Sequence, residues 1–208
     1  RKDRNLNDFP IIIAGGPSCF NPKPMQDFID LFIIGDGEEV IIELLDKYLD
    51  LKDKKIEKNE ILKELSQIEG VYSPLYPQKT KKRIYDISKD NHIQKSPIPY
   101  CSSVQDRTVV EIRRGCGRMC RFCQAGHVTL PVRERKAEDI INMVKGSTSI
   151  SGYNEYSLLS LSSNDYQNIE GVIETLSCDM NKKRISVSLP SQRIDRYSTK
   201  LAELVRGV

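Results

Sequence analysis

Apolar and polar positions along this chain fall into short blocks. Residues 10–14, PIIIA, form an apolar run closed by Gly15 and Gly16, and residues 31–34 repeat the pattern before Gly35, Asp36, Gly37 and Glu38. Runs of this length that end in glycine predict buried parallel strands, which lose water on both faces. After the first, NPKPMQDFI places proline near a helix start. After the second, EEVIIELLDKYLDL sets Val40, Ile41, Leu44, Leu45 and Leu49 on one helical face, with acids at its N-terminal end. The expectation is two βα units of an open α/β sheet. Lysine-rich KDKKIEKNEILKELSQIEG, with an apolar stripe of Ile56, Ile61, Leu62 and Leu65, reads as a solvated helix and a connector. Two β-like patches near Val71 and Ile84 and the proline-marked SPIPYCSS lead into a second region.

From Thr108 the order becomes strand (TVVEI), cysteine loop, helix (AEDIINMVKG), strand (YSLLSL), helix (NIEGVIETLSCDM), strand (RISVSL) and helix (TKLAELVRG). Ile169, Val172, Ile173 and Leu176 recur at helical spacing, so that helix lays one face on a sheet. Three consecutive βα units predict a parallel sheet with right-handed crossovers. Three units cannot close a barrel, and an apolar run begins almost at once after Arg1; both features lead us to expect a piece of a longer protein.

Composition narrows this only slightly. The 208 residues are 38% hydrophobic, enough for a core, and 32 Lys+Arg against 29 Asp+Glu leave +3, too little to argue for nucleic acid or an anionic membrane. No apolar run approaches the roughly 20 residues that span a bilayer. The six cysteines include three crowded into eight positions, which favours ligation in a reducing cytoplasm over a disulfide framework.

Those three are Cys116, Cys120 and Cys123 in RRGCGRMCRFCQAGH, a C-x3-C-x2-C set directly after a predicted strand, with Gly115 and Gly117 loosening the loop. Soft thiolates select zinc, copper(I) or iron-sulfur clusters. An electron-carrying cubane takes four cysteines; three leave one iron open to substrate or cofactor. A structural zinc site of Cys116, Cys120, Cys123 and His127, or a ferredoxin-like cluster with Cys101 as fourth ligand, is the competing reading of the same residues. Arg113, Arg114, Arg118, Arg121, Arg133 and Arg135 would raise thiolate character and balance charge, about half of them being plain surface. Cys19, Cys101 and Cys178 read as small buried hydrophobes.

The C-x3-C-x-Φ-C pattern, with Phe122 before the last cysteine, resembles the radical S-adenosylmethionine (SAM) superfamily. AGGPSCFNPKP, FIIGDGEE, VYSPLY, PVRER, LSLSSNDY and VSLPSQRID, in this order, resemble an uncharacterised group within it that carries a cobalamin-binding-type domain ahead of the barrel. The resemblance implies an α/β fold: the C-terminal half of a Rossmann-like cobalamin-type domain (1–52), a linker (53–105), and the first three βα units of a TIM-like partial barrel (106–208). It implies a 4Fe-4S cluster on Cys116, Cys120 and Cys123. The open iron would chelate SAM, and an electron would break the carbon-sulfur bond to give a 5'-deoxyadenosyl radical. Phe122, Ser162, Ser163, Ser188 and Arg193 become SAM contacts, although LSSN departs from the superfamily's Gly-Gly-Glu. Gly15, Gly16, Gly35, Asp36, Gly37 and Glu38 become cobalamin-type turns at strand ends, with cobalamin a conditional third cofactor. Asp90-Asn91-His92 echoes a cobalamin-ligating motif but has Lys95 where glycine belongs, and reads as a plain loop.

No side chain is assigned a catalytic role. Expected partners are a flavodoxin- or ferredoxin-type electron donor and a substrate of unknown class, with nucleic acid left open and no membrane. An RNA methylthiotransferase-like enzyme of the same superfamily, or a zinc-binding module, is the alternative.

Overall fold

The computed structural model describes residues 9–90, 95, 97–101 and 103–206 and divides into two compact units, 1–85 and 86–208. In the first, β1 (Ile13–Ala14) pairs in parallel with β2 (Leu31–Ile33), as the two apolar runs predict. The stretch between them forms only 3-10 turns at Pro17–Phe20 and Lys23–Met25. Pro17, Pro22 and Pro24 remove backbone donors that an α-helix there would need.

Helix α1 (Val40–Asp53) buries Val40 and Leu44, whereas Leu45 and Leu49 of the expected apolar face stay 47% and 54% exposed. A small sheet and one neighbouring helix cover only a narrow stripe of α1. That neighbour is α2 (Lys58–Ser66), which buries Ile61, Leu62 and Leu65 in the same core and is followed by β3 (Val71–Tyr72), antiparallel to β2. Residues 53–85, expected as a linker, therefore belong to the first unit. The stretch is lysine-rich at its surface, yet the short apolar stripe of α2 is fully used in the core.

The second unit is built on a parallel sheet in the order β4-β7-β8. Its elements are β4 (Thr108–Glu111), β5 (Arg113–Arg114), α3 (Ala125–Val128), β6 (Arg133–Glu134), α4 (Ala137–Ser151), β7 (Glu155–Leu159), α5 (Ile169–Met180), β8 (Ser186–Ser188) and α6 (Thr199–Arg206). The three expected βα units are all present. Val110, Tyr156, Leu158 and Val187 face the helices, with Ile140 and Ile173 among the buried residues there. Because side chains alternate, Val109, Ser157 and Ser188, which are in register, line the opposite face. Parallel strands put all three following loops at one edge of the sheet. Among the described residues no helix is long and apolar enough to cross a membrane.

Candidate functional site

The first of those loops carries the cysteines. Its ends are tied by the antiparallel ribbon β5-β6, which pairs Arg113 with Glu134 and Arg114 with Arg133. A Cβ on Gly115 would sit 2.6 Å from the Thr129 carbonyl oxygen and 3.0 Å from that of Pro131, so only glycine lets the loop close on its own return. Beyond it, Gly126 at the start of α3 packs against the Met119 backbone, and the Cys123 N–H donates to the Cys120 carbonyl at 3.0 Å. Arg135 locks the exit: its Nε donates to the Glu111 carbonyl at 2.8 Å, and its backbone carbonyl accepts from the Tyr166 hydroxyl at 2.8 Å.

The second loop, after β7, supplies Asp165, whose side chain is 3% exposed. Arg118, lying between the first two cysteines, grips this carboxylate with both arms of its guanidinium, Nε to Oδ2 at 3.1 Å. The Ser162 hydroxyl donates to the same Oδ2 at 2.9 Å. Arg113 at 3.8 Å and, from the third loop, Arg193 at 3.7 Å and Arg196 at 3.9 Å complete the surround. The hydrogen bond from Arg118 is the main force that holds the Asp165 carboxyl down to about 2, against the opposing effect of burial. Asn164 fastens the third loop separately, donating to the Arg193 carbonyl at 2.7 Å and accepting from its N–H at 2.9 Å. All three strand-end loops thus meet at Asp165 and Asn164. A cleft of about 820 Å³ opens beside them, lined by Arg113, Gly117, Arg118, Asp165 and Arg196 among others.

The expected SAM contacts fare differently. The Phe122 ring is 92% exposed and available. Ser162 and Ser163 are buried, and their hydroxyls are spent inside the protein, on Asp165 and on the carbonyls of Leu158 and Pro190. Ser188 lies on the uncovered face of the sheet, where it accepts from Arg107 at 2.9 Å, away from the loop cluster. Arg193 is at the cluster but is itself paired with Asp195. Cys101 and Cys178, expected to be buried, are exposed, while Cys19 is buried as expected. His92 lies outside the described residues. Asp165 was missed because an acid in SSNDY reads as a turn residue. Arginines clustered after the first and third strands, with one acid after the second, were the available signal.

In the first unit, the Gly15-Gly16 turn is exposed, and Gly16 has φ 100° with open space where a Cβ would stand. The Gly35 turn is different. Arg83 lies backbone to backbone against Gly35, donating to the Ile34 carbonyl at 2.9 Å and accepting from Asp36 N–H at 3.1 Å. Asp36 in turn accepts from Tyr85 N–H at 2.8 Å. This turn, expected to approach a nucleotide, is filled by the chain's own residues 83–85.

All three cysteines are free of disulfides, with Cys116 and Cys123 partly buried and Cys120 exposed. Among the described residues no three His, Cys, Asp or Glu side chains are gathered as a metal set, so the thiols share one pinned loop without converging in it. As a donor set they fit a soft-metal cluster: three thiols, none committed elsewhere, on a glycine-opened loop. Residues 1–74 match the family model described as radical SAM proteins, N-terminal. Over that stretch the chain is similar to the radical SAM proteins. An uncharacterized protein of Methanocaldococcus jannaschii is 28% identical over 98% of this chain and 42% of its own length. The fold is similar, at a TM-score of 0.59 and 13% identity, to the radical SAM methyltransferase TsrM of Kitasatospora setae, solved with cobalamin and a 4Fe-4S cluster bound. That likeness covers 95% of this chain and 40% of TsrM. The chain thus spans less than half the length of either of these two proteins.

Proposed function

We propose that the chain carries the cofactor-holding part of a radical SAM enzyme that cleaves SAM reductively to a 5'-deoxyadenosyl radical, with a half Rossmann-type domain of the cobalamin class preceding a partial barrel. The observation that carries this reading is the C-x3-C-x2-C loop, pinned by β5-β6 at the C-terminal edge of a parallel βα sheet, the edge where such sheets build their sites. Cys116, Cys120 and Cys123 would hold the cluster, which when bound supplies an open coordination position for SAM and the electron that opens its carbon-sulfur bond.

The protein's own groups prepare that chemistry. Arg118, fixed by Asp165, sets a positive charge within the cysteine loop and offsets the thiolates. Phe122 offers an uncommitted aromatic face for the adenine. Since the hydroxyls of Ser162 and Ser163 are committed, that loop can serve the SAM amino group only through backbone carbonyls. The Ser163 carbonyl accepts one turn bond, from Tyr166 N–H at 3.3 Å, and keeps a second lone pair, whereas the Ser162 carbonyl accepts from both Asp165 N–H at 3.1 Å and the Arg113 guanidinium at 3.5 Å. The likeness to TsrM supports the cobalamin class for the first unit, and the exposed Gly15-Gly16 turn, not the filled Gly35 turn, is where a nucleotide tail would approach. A small flavodoxin- or ferredoxin-type donor in the cytoplasm would supply the electron.

The test is to give the anaerobically reconstituted protein SAM and a strong reductant and to measure 5'-deoxyadenosine. Release that depends on Cys116, Cys120 and Cys123 is the expected result; no release from iron-loaded protein would contradict it.

A further inference from the structure

We infer that Asp165 is the positioning residue of the cysteine loop, acting through Arg118 to fix the segment between Cys116 and Cys120. Its relevance to catalysis rests on the proposed cluster reading; the contact itself does not.

Four observations carry this. The carboxylate is almost fully buried, and beyond the Ser162 hydroxyl of its own loop its cationic partners come from the other two loops, so its place is set by the meeting of all three. Arg118 meets it with a two-armed fork, the geometry that fixes orientation as well as distance. Arg118 lies two residues from each of Cys116 and Cys120, so its Cα is tethered to both thiols by short backbone. Its neighbour Met119 is held at φ 53°, a left-handed conformation that a non-glycine residue keeps only when its surroundings impose it. The loop ends are pinned by β5-β6, and between Gly115 and α3 the Arg118 fork is a side-chain tie that reaches the second loop. Without it the first two thiols would be presented over a wider range of positions, and a cluster would find its ligands less well arranged.

Site-resolved alkylation of the metal-free protein by iodoacetamide, read by mass spectrometry, tests the tie directly, with exposed Cys178 on α5 as internal reference. Asp165→Asn keeps the shape but removes the charge, and should speed alkylation of Cys116 and Cys120 relative to Cys178. Arg118→Gln, at a side chain 37% exposed and so tolerant of change, should give the same pattern. Asp165→Asn should then add nothing in the Arg118→Gln background, because the two act as one unit. After reconstitution, either variant should hold iron about tenfold more weakly or worse, the usual loss when a ligand's supporting residue goes. A wild-type alkylation pattern in either folded variant overturns the inference, as does a full further effect of Asp165→Asn on top of Arg118→Gln. If the wild type takes up no iron while its alkylation pattern responds to Asp165→Asn, the positioning role stands and the cluster reading falls.

Discussion

Arg83 lies so close to Gly35 that a Cβ on Gly35 would overlap the Arg83 backbone, at a residue whose φ of 112° already excludes ordinary side chains. The Arg83 side chain then reaches Glu43 on α1, so residues 83–85 are stitched to both the turn and the helix after it. Gly35→Ala should therefore destabilise the protein by on the order of 3 kcal/mol. Gly37→Ala, with open space at its Cβ, should change stability by no more than about 0.5 kcal/mol. Urea unfolding of the two variants makes the comparison.

Lys58 and Asp30 form a buried ion pair at 3.8 Å, with side chains 4% and 2% exposed. Asp30 also accepts from Ile12 N–H at 2.9 Å, so this pair ties α2 to the start of β1. Lys58→Met would leave the carboxylate buried without its cation, at a cost of about 3 kcal/mol in urea unfolding. A loss below about 1 kcal/mol would mean that α2 is attached by its apolar stripe alone.

These contacts mark the limit of what could be read in the sequence. TVVE, EYSLL and SVS, with the helices between them, were legible because period-2 and period-3.6 patterns answer to burial against a single sheet. The Gly35 turn was legible as a tight turn but not in its purpose, since the backbone that fills it comes from Arg83, far along the chain. The β5-β6 ribbon was hidden for a related reason: Arg113, Arg114, Arg133 and Glu134 have no apolar alternation, and pair because the cysteine loop returns to its start. The cysteine spacing was plain, whereas Asp165 acquires its role only when three loops meet.

Asp165 also gives the fold a pH dependence. Its carboxyl stands at about 2 in the folded protein against 3.8 ordinarily, held down first by the Arg118 hydrogen bond, so the unfolded chain binds the proton more tightly. The stabilisation is therefore complete above about pH 4 and fades as the pH falls toward 2. Between pH 6 and pH 3, the stability advantage of wild type over Asp165→Asn should shrink, by on the order of 1 kcal/mol. Paired urea curves at the two pH values check this; a constant difference would show that Asp165 is not ionised against Arg118.

Metal content decides whether Cys116, Cys120 and Cys123 hold a cluster. Iron, zinc and acid-labile sulfide are measured per protein after anaerobic reconstitution, in wild type and in the triple cysteine-to-alanine variant. About four irons with matching sulfide are expected in the wild type and none in the variant. One zinc without iron, or iron that survives the loss of all three thiols, would contradict the cluster reading.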